Sequence, residues 1–181
     1  MVLYALFGNY ITSIRIYLLV ETNVYPTFQS VTNPYKYKTS HGIVLGTSGQ
    51  NVEDVMSNSD LEDPLDVLEQ MLRWSHIAPT CPDTLGCFPF SENAKDPFIL
   101  DCLPKVFFVG NQKKYSFRKI ETTPKQGEVF TTLLLALPSF SSEKAVIRLN
   151  LATLECEEVV FDTAFDSFKQ SSEEHSPIPN N

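Results

Sequence analysis

Two short apolar runs constrain what this chain can fold into. Gly42-Ile43-Val44-Leu45-Gly46 and Val106-Phe107-Phe108-Val109-Gly110 carry no charge, and each ends on a glycine. Runs this short, rich in β-branched and aromatic residues, read as buried strands, because a helix needs roughly ten or more residues. Between them Leu65, Leu68, Met71 and Leu72 recur at helical spacing and form one apolar face. Two starts for that helix are open. Ser59 followed by Glu62 fits a capping box, and Asp63-Pro64 offers proline in the first turn. Strand, helix, strand is the order of an α/β protein.

The remaining segments fit around this frame. Thr32-Asn33-Pro34 reads as a turn. Thr47-Ser48-Gly49-Gln50-Asn51 reads as a tight loop leading into a short helix over Val52–Met56. Pro79, Pro82 and Gly86 end the main helix in a loop through Cys87-Phe88-Pro89-Phe90. Three β-rich segments, Val129–Leu137, Ala145–Leu151 and Glu157–Phe161, are expected to close the core. In the second, Val146, Arg148 and Asn150 alternate with Ile147, Leu149 and Leu151, the period of a half-buried strand. The expected organisation is an unmatched apolar segment over 1–23, a main domain over 24–165 and a polar, disordered tail over 166–181.

The first twenty residues are apolar but interrupted by Asn9, Thr12, Ser13 and Arg15. They lack the early positive charge and small-residue cleavage site of a secretory signal. Arg15 argues against a membrane span, so no membrane partner is expected. The stretch fits a buried helix, a strand, or a start inside a longer protein.

Charge narrows the partners. The net charge is −8, whereas a free-standing DNA binder needs a basic face for phosphate. Lys113-Lys114 and Arg118-Lys119 read as a solvated loop. An acidic chain suits contacts with other proteins. The four cysteines contain no CxxC pair, and Cys81 and Cys87 are too widely spaced for the common zinc motifs. His41, His76 and His175 do not cluster with them. Four reduced cysteines and no cofactor are expected.

Sites on α/β sheets gather in loops at strand ends. The two such loops are Gly46-Thr47-Ser48-Gly49-Gln50-Asn51 and Gly110-Asn111-Gln112-Lys113. Neither is a phosphate-binding GxxxxGK[ST] loop, and neither holds the GxSxG of a nucleophile elbow. Ser48 has no histidine in its own loop. His76, just past the main helix, reads as a structural histidine rather than a general base. Asp54, Asp60, Glu62 and Asp63 read as charges favoured near a helix N-terminus.

A family resemblance rests on several motifs in one order. Gln29-Ser30-Val31-Thr32-Asn33-Pro34-Tyr35 and Leu45-Gly46-Thr47-Ser48-Gly49-Gln50-Asn51-Val52 come first. His76-Ile77-Ala78-Pro79-Thr80, Pro82-Asp83-Thr84-Leu85-Gly86-Cys87, Asp96-Pro97-Phe98-Ile99 and the run Pro104 to Asn111 follow. Together they span about 24–162 and resemble the small (B) subunits of DNA polymerase delta. The first twenty residues match nothing in that family's pattern.

The resemblance implies a partial calcineurin-like phosphoesterase β-sandwich with flanking helices and a C-terminal antiparallel β section, corresponding to about the last third of such a subunit. Active relatives of that fold hold two metals through Asp, Asn and His. On this alignment Ser48, Asn111 and Lys113 stand where those enzymes place histidines. No catalytic, cofactor-binding or metal-binding residue is therefore expected. The implied role is a non-catalytic accessory subunit in nuclear DNA replication and repair. Its implied partners are the C-terminal metal-binding module of the polymerase catalytic subunit and a third accessory subunit, with DNA contacted only indirectly. A divergent metal-dependent phosphoesterase and a fragment without function are the competing readings.

Overall fold

A computed structural model of the chain describes residues 31–87, 96–123 and 129–161. The segment 1–23, the loop residues Phe88-Pro89-Phe90 and the tail 166–181 lie outside these residues. The described residues fall into two compact units, divided between Pro138 and Ser139.

The first unit is a mixed five-stranded sheet. Its strands are β1 (Tyr35–Thr39), β2 (Gly42–Thr47), β3 (Val106–Gln112), β4 (Ser116–Thr122) and β5 (Phe130–Pro138), in the order β1-β2-β3-β5-β4. The three central strands β2, β3 and β5 run parallel, and β1 and β4 pair antiparallel at the two edges. The α/β expectation holds in this form. Parallel strands need a crossover, and α1 (Gln50–Ser57) and α2 (Pro64–Trp74) supply it between β2 and β3.

The apolar runs are continuous because both faces of the central strands are buried. Leu45, Phe107, Val109, Leu134 and Ala136 share one cluster with Val52 and Val55 of α1 and Leu65, Leu68, Met71 and Leu72 of α2. On the alternate positions Val44, Val106, Phe108, Leu133 and Leu135 are buried too, outside that cluster. Gly46 pairs with Phe108 across β2 and β3, and a Cβ on Gly46 would occupy the space of the Phe108 ring.

The second of the two helix starts is the one used. Pro64 opens α2, and the Asp63 side chain caps it by accepting from Leu65 N at 2.9 Å. Ser59 instead donates to the Val55 carbonyl at 2.7 Å, closing the end of α1. Asp54 lies within α1, so of the carboxylates assigned to a helix start only Asp63 serves as the cap.

Three readings need correction. Arg118 and Lys119 lie on β4, where Arg118 reaches α2 and donates to Asp66 at 2.6 Å and to Glu69 and Asp63 at 3.2 Å each. They are not a solvated loop: both lie on a paired strand, and two carboxylates of the facing helix and its cap Asp63 hold the Arg118 guanidinium. Cys81 and Cys87 are paired as a disulfide, their Cα atoms 6.3 Å apart, rather than reduced; the loop after α2 folds back far enough to join them. The three β segments do not close one core. The first is β5, inside the large sheet between β3 and β4.

The second unit contains the other two, as the antiparallel hairpin β6 (Ala145–Asn150) and β7 (Glu155–Val160). The short helix α3 (Phe140–Glu143) precedes it. Arg148 faces Glu157 across the ladder and bonds it, and Phe140 meets Phe161 edge to face with centroids 5.9 Å apart.

Candidate functional site

The C-terminal ends of β2 and β3 stand side by side because the strands are parallel, and both strand-end loops emerge there. The β2 loop turns at once into α1. Gly49 makes this possible: it sits at φ 113°, and a Cβ there would collide with the Gly110 carbonyl oxygen. The β3 end breaks its register between Val109 and Gln112, and Asn111 takes the left-handed conformation at φ 56°. This irregularity turns the Asn111 side chain toward β2.

The structure brings Ser48 and Asn111 together. Asn111 Nδ2 donates to the Ser48 carbonyl at 2.8 Å. The Ser48 amide donates to Asn33 Oδ1 at 3.1 Å, and the Ser48 hydroxyl bonds Gln50 Oε1. Asn33 Nδ2 also donates to Gln50 Oε1 at 3.3 Å. Asn51 Nδ2 is buried and donates to the Ile77 carbonyl at 2.6 Å. Gln112 Nε2 returns to the Gly110 carbonyl at 3.0 Å. Lys113 lies apart from this network, exposed in the turn between β3 and β4. Gln50 and Asn51 belong to the β2 strand-end loop marked as a candidate in the sequence, whereas Asn33 reads there only as part of a turn before Pro34.

The cluster is neutral and closed. Ser48 is 1% exposed. Its hydroxyl and amide are engaged by Gln50 and Asn33, and no histidine among the described residues reaches it as a base. His76 is satisfied at both nitrogens: Nε2 faces Asp96 Oδ2 at 3.1 Å and Nδ1 accepts from Ala78 N at 3.2 Å. With no free lone pair it is a structural histidine. Thr47 Oγ1 is buried with no hydrogen-bond partner among the described residues, beside a small cavity lined also by Asn33, Asn51 and Phe98.

These residues do not fit a divalent metal pair. Such a pair needs carboxylate or imidazole donors held open to it. Here the Ser48 hydroxyl is already bonded to Gln50, Asn111 brings only a neutral amide, and a Lys ammonium has no lone pair. Among the described residues no three His, Cys, Asp or Glu side chains group as metal ligands. The arrangement ties two strand ends together with amides; it offers no activated nucleophile and no charged acid–base pair.

Comparison with known proteins gives the family. Residues 12–119 match the B-subunit family of DNA polymerase alpha/epsilon, so the chain belongs to this class of polymerase B subunits. The matched span begins inside the segment 1–23. Within the class the chain is similar to delta subunits. The DNA polymerase delta small subunit of Oryza sativa subsp. japonica is 41% identical over 150 residues, covering 83% of this chain and 34% of the relative. That of Arabidopsis thaliana is 42% identical over 146 residues, covering 81% and 32%. That of Saccharomyces cerevisiae is 35% identical over 155 residues, covering 73% and 30%. The chain thus spans about one third of the length of the curated relatives it matches.

Proposed function

We propose that this chain is a non-catalytic accessory element of a DNA polymerase delta complex, acting in nuclear DNA replication and repair. It works as a scaffold: it holds the C-terminal metal-binding module of the catalytic subunit and a third accessory subunit, and it meets DNA only through them. Its sheet is the C-terminal part of an inactivated calcineurin-like phosphoesterase domain. The observation that carries this reading is the use of Ser48 and Asn111: where an active enzyme of that fold presents ligands, Asn111 donates to the Ser48 carbonyl and ties β3 to β2, and the Ser48 hydroxyl is bonded to Gln50. The mechanism is binding alone, which raises the local concentration of partners with no bond made or broken.

Co-purification tests it. The full chain is mixed with the C-terminal module of a polymerase delta catalytic subunit, and a chain lacking residues 1–20 is run in parallel. Retention of the module supports the scaffold. Failure of both chains to retain it, or metal-dependent hydrolysis of a phosphodiester by the purified chain, overturns the proposal.

A further inference from the structure

At the far end of α1 from Ser48 lies a groove with different chemistry. Eight residues of helix separate the two, about 12 Å at 1.5 Å per residue. Val55, Asn58 and Ser59 at the end of α1, Trp74 at the end of α2, and Pro79 and Thr80 beyond it line an opening of about 180 Å³. That is smaller than the roughly 300–1,000 Å³ of a small-molecule pocket, and suits one long side chain.

Two features of the groove agree on what that side chain is. Trp74 is 49% exposed, a large indole face left open at the rim. Both helices run their carbonyl ends to the groove, which makes its potential negative. The sequence adds to this: between Gln50 and Leu72 there are carboxylates, including Glu53, Asp54 and Asp60, and no Lys or Arg. Arg73 is the nearest cation in sequence, and its guanidinium is turned away to Glu69 at 2.7 Å. An aromatic face and a negative rim are what an alkyl stem ending in a cation needs.

We propose that this groove is a docking site for a Lys or Arg side chain presented by a linear segment of a partner protein. The stem packs on Trp74 and Pro79, and the cation meets the negative rim. Nucleic acid is excluded as the occupant by the same negative field. The site is independent of the polymerase reading, since none of the strand-end residues line it.

The chain has a single tryptophan, so its emission reports on this groove. The full chain is titrated with an acetylated, amidated Ala-Pro-Arg-Pro-Ala peptide and with versions carrying norleucine or glutamate in the middle. The arginine peptide should give a saturable change in emission that weakens as salt rises. Norleucine should bind about two- to fivefold more weakly, and glutamate not at all. Calorimetry with Trp74→Ala should show binding lost. Asp60→Asn, next in sequence to the lining residue Ser59, should weaken it. Equal binding of the arginine and norleucine peptides overturns the proposal, as do binding that survives Trp74→Ala and the absence of any saturable response.

Discussion

Asn111 ties the end of β3 to the end of β2, its amide donating to the Ser48 carbonyl at 2.8 Å. The bond exists only because Asn111 sits at φ 56°, a conformation asparagine tolerates better than most residues. Strand pairing and side chain thus depend on each other: the break in the β3 register aims the amide, and the amide holds the two loops in place.

Substitutions at Asn111 separate these contributions. Asn111→Ala removes the bond and leaves a Cβ residue in the left-handed region, and should cost about 1–3 kcal/mol. Asn111→Gly removes the bond but fits the backbone, and should cost less. Urea unfolding midpoints at unchanged slope measure both. A glycine variant as unstable as the alanine variant would show that backbone conformation contributes nothing there.

Gly49→Ala should be more severe. The new Cβ meets the Gly110 carbonyl oxygen, and φ 113° is strained for any side chain. Steric and backbone costs add, for a loss of about 2–4 kcal/mol. Gly86 is the control, since a Cβ there meets nothing within 4 Å. Gly86→Ala should stay within about 0.5 kcal/mol of the parent chain. Thermal unfolding of the two variants side by side checks the contrast.

The buried strands β2, β3 and β5 and the amphipathic α2 were legible in the sequence because burial on both faces, or along one stripe, dictates composition. The edge strands were not. Tyr35-Lys36-Tyr37-Lys38-Thr39 and Ser116-Phe117-Arg118-Lys119-Ile120 alternate with period two, but edge strands carry charge as protection and so resemble loops in content. Lys36 even leaves the sheet to bond Asp101, holding that carboxyl at about 2. Ser48 and Gln50 share one candidate loop and Asn111 lies in the other, yet their partner Asn33 reads only as part of a turn. The parallel register that joins the two loops is set by the α1–α2 crossover, which no local pattern encodes. The Cys81–Cys87 pairing was hidden for a similar reason, as it depends on the path of a loop.

Arg118 gives a prediction in pH. Glu69 has its carboxyl held below the ordinary value of 4.5, first by its bond to Arg73 and then by Arg118. A carboxylate whose folded value is depressed contributes stability that is present above its unfolded value and lost as pH falls through the folded one. The parent chain should therefore lose stability as pH drops below about 4.5. Arg118→Met removes one of the two arginines, so this acid-side loss should become shallower. At neutral pH the variant should be weaker by less than about 1 kcal/mol per pair, because the groups are partly exposed and screened. Unfolding free energies at neutral pH and below pH 4 should converge toward acid. A difference that stays constant across that range would remove Glu69 from the account.

The neutral strand ends give the last prediction. A ligand that binds only the folded chain raises its stability by RT ln(1 + [L]/Kd), about 2.7 kcal/mol when the ligand stands at a hundred times Kd. Manganese is best held by several carboxylate, carbonyl and water oxygens, and at the ends of β2 and β3 it would find a bonded hydroxyl and one neutral amide, with the Lys113 ammonium apart from both. Thermal unfolding with and without millimolar manganese should therefore coincide. Restoring imidazoles with Ser48→His and Lys113→His should not create a site either, because Ser48 is buried and Lys113 lies apart from it in the exposed turn between β3 and β4. A rise in the midpoint of the parent chain that disappears in Ser48→Ala and Asn111→Gly would locate a metal at the strand ends, and the inactivated-enzyme reading would then fail at the residues on which it rests.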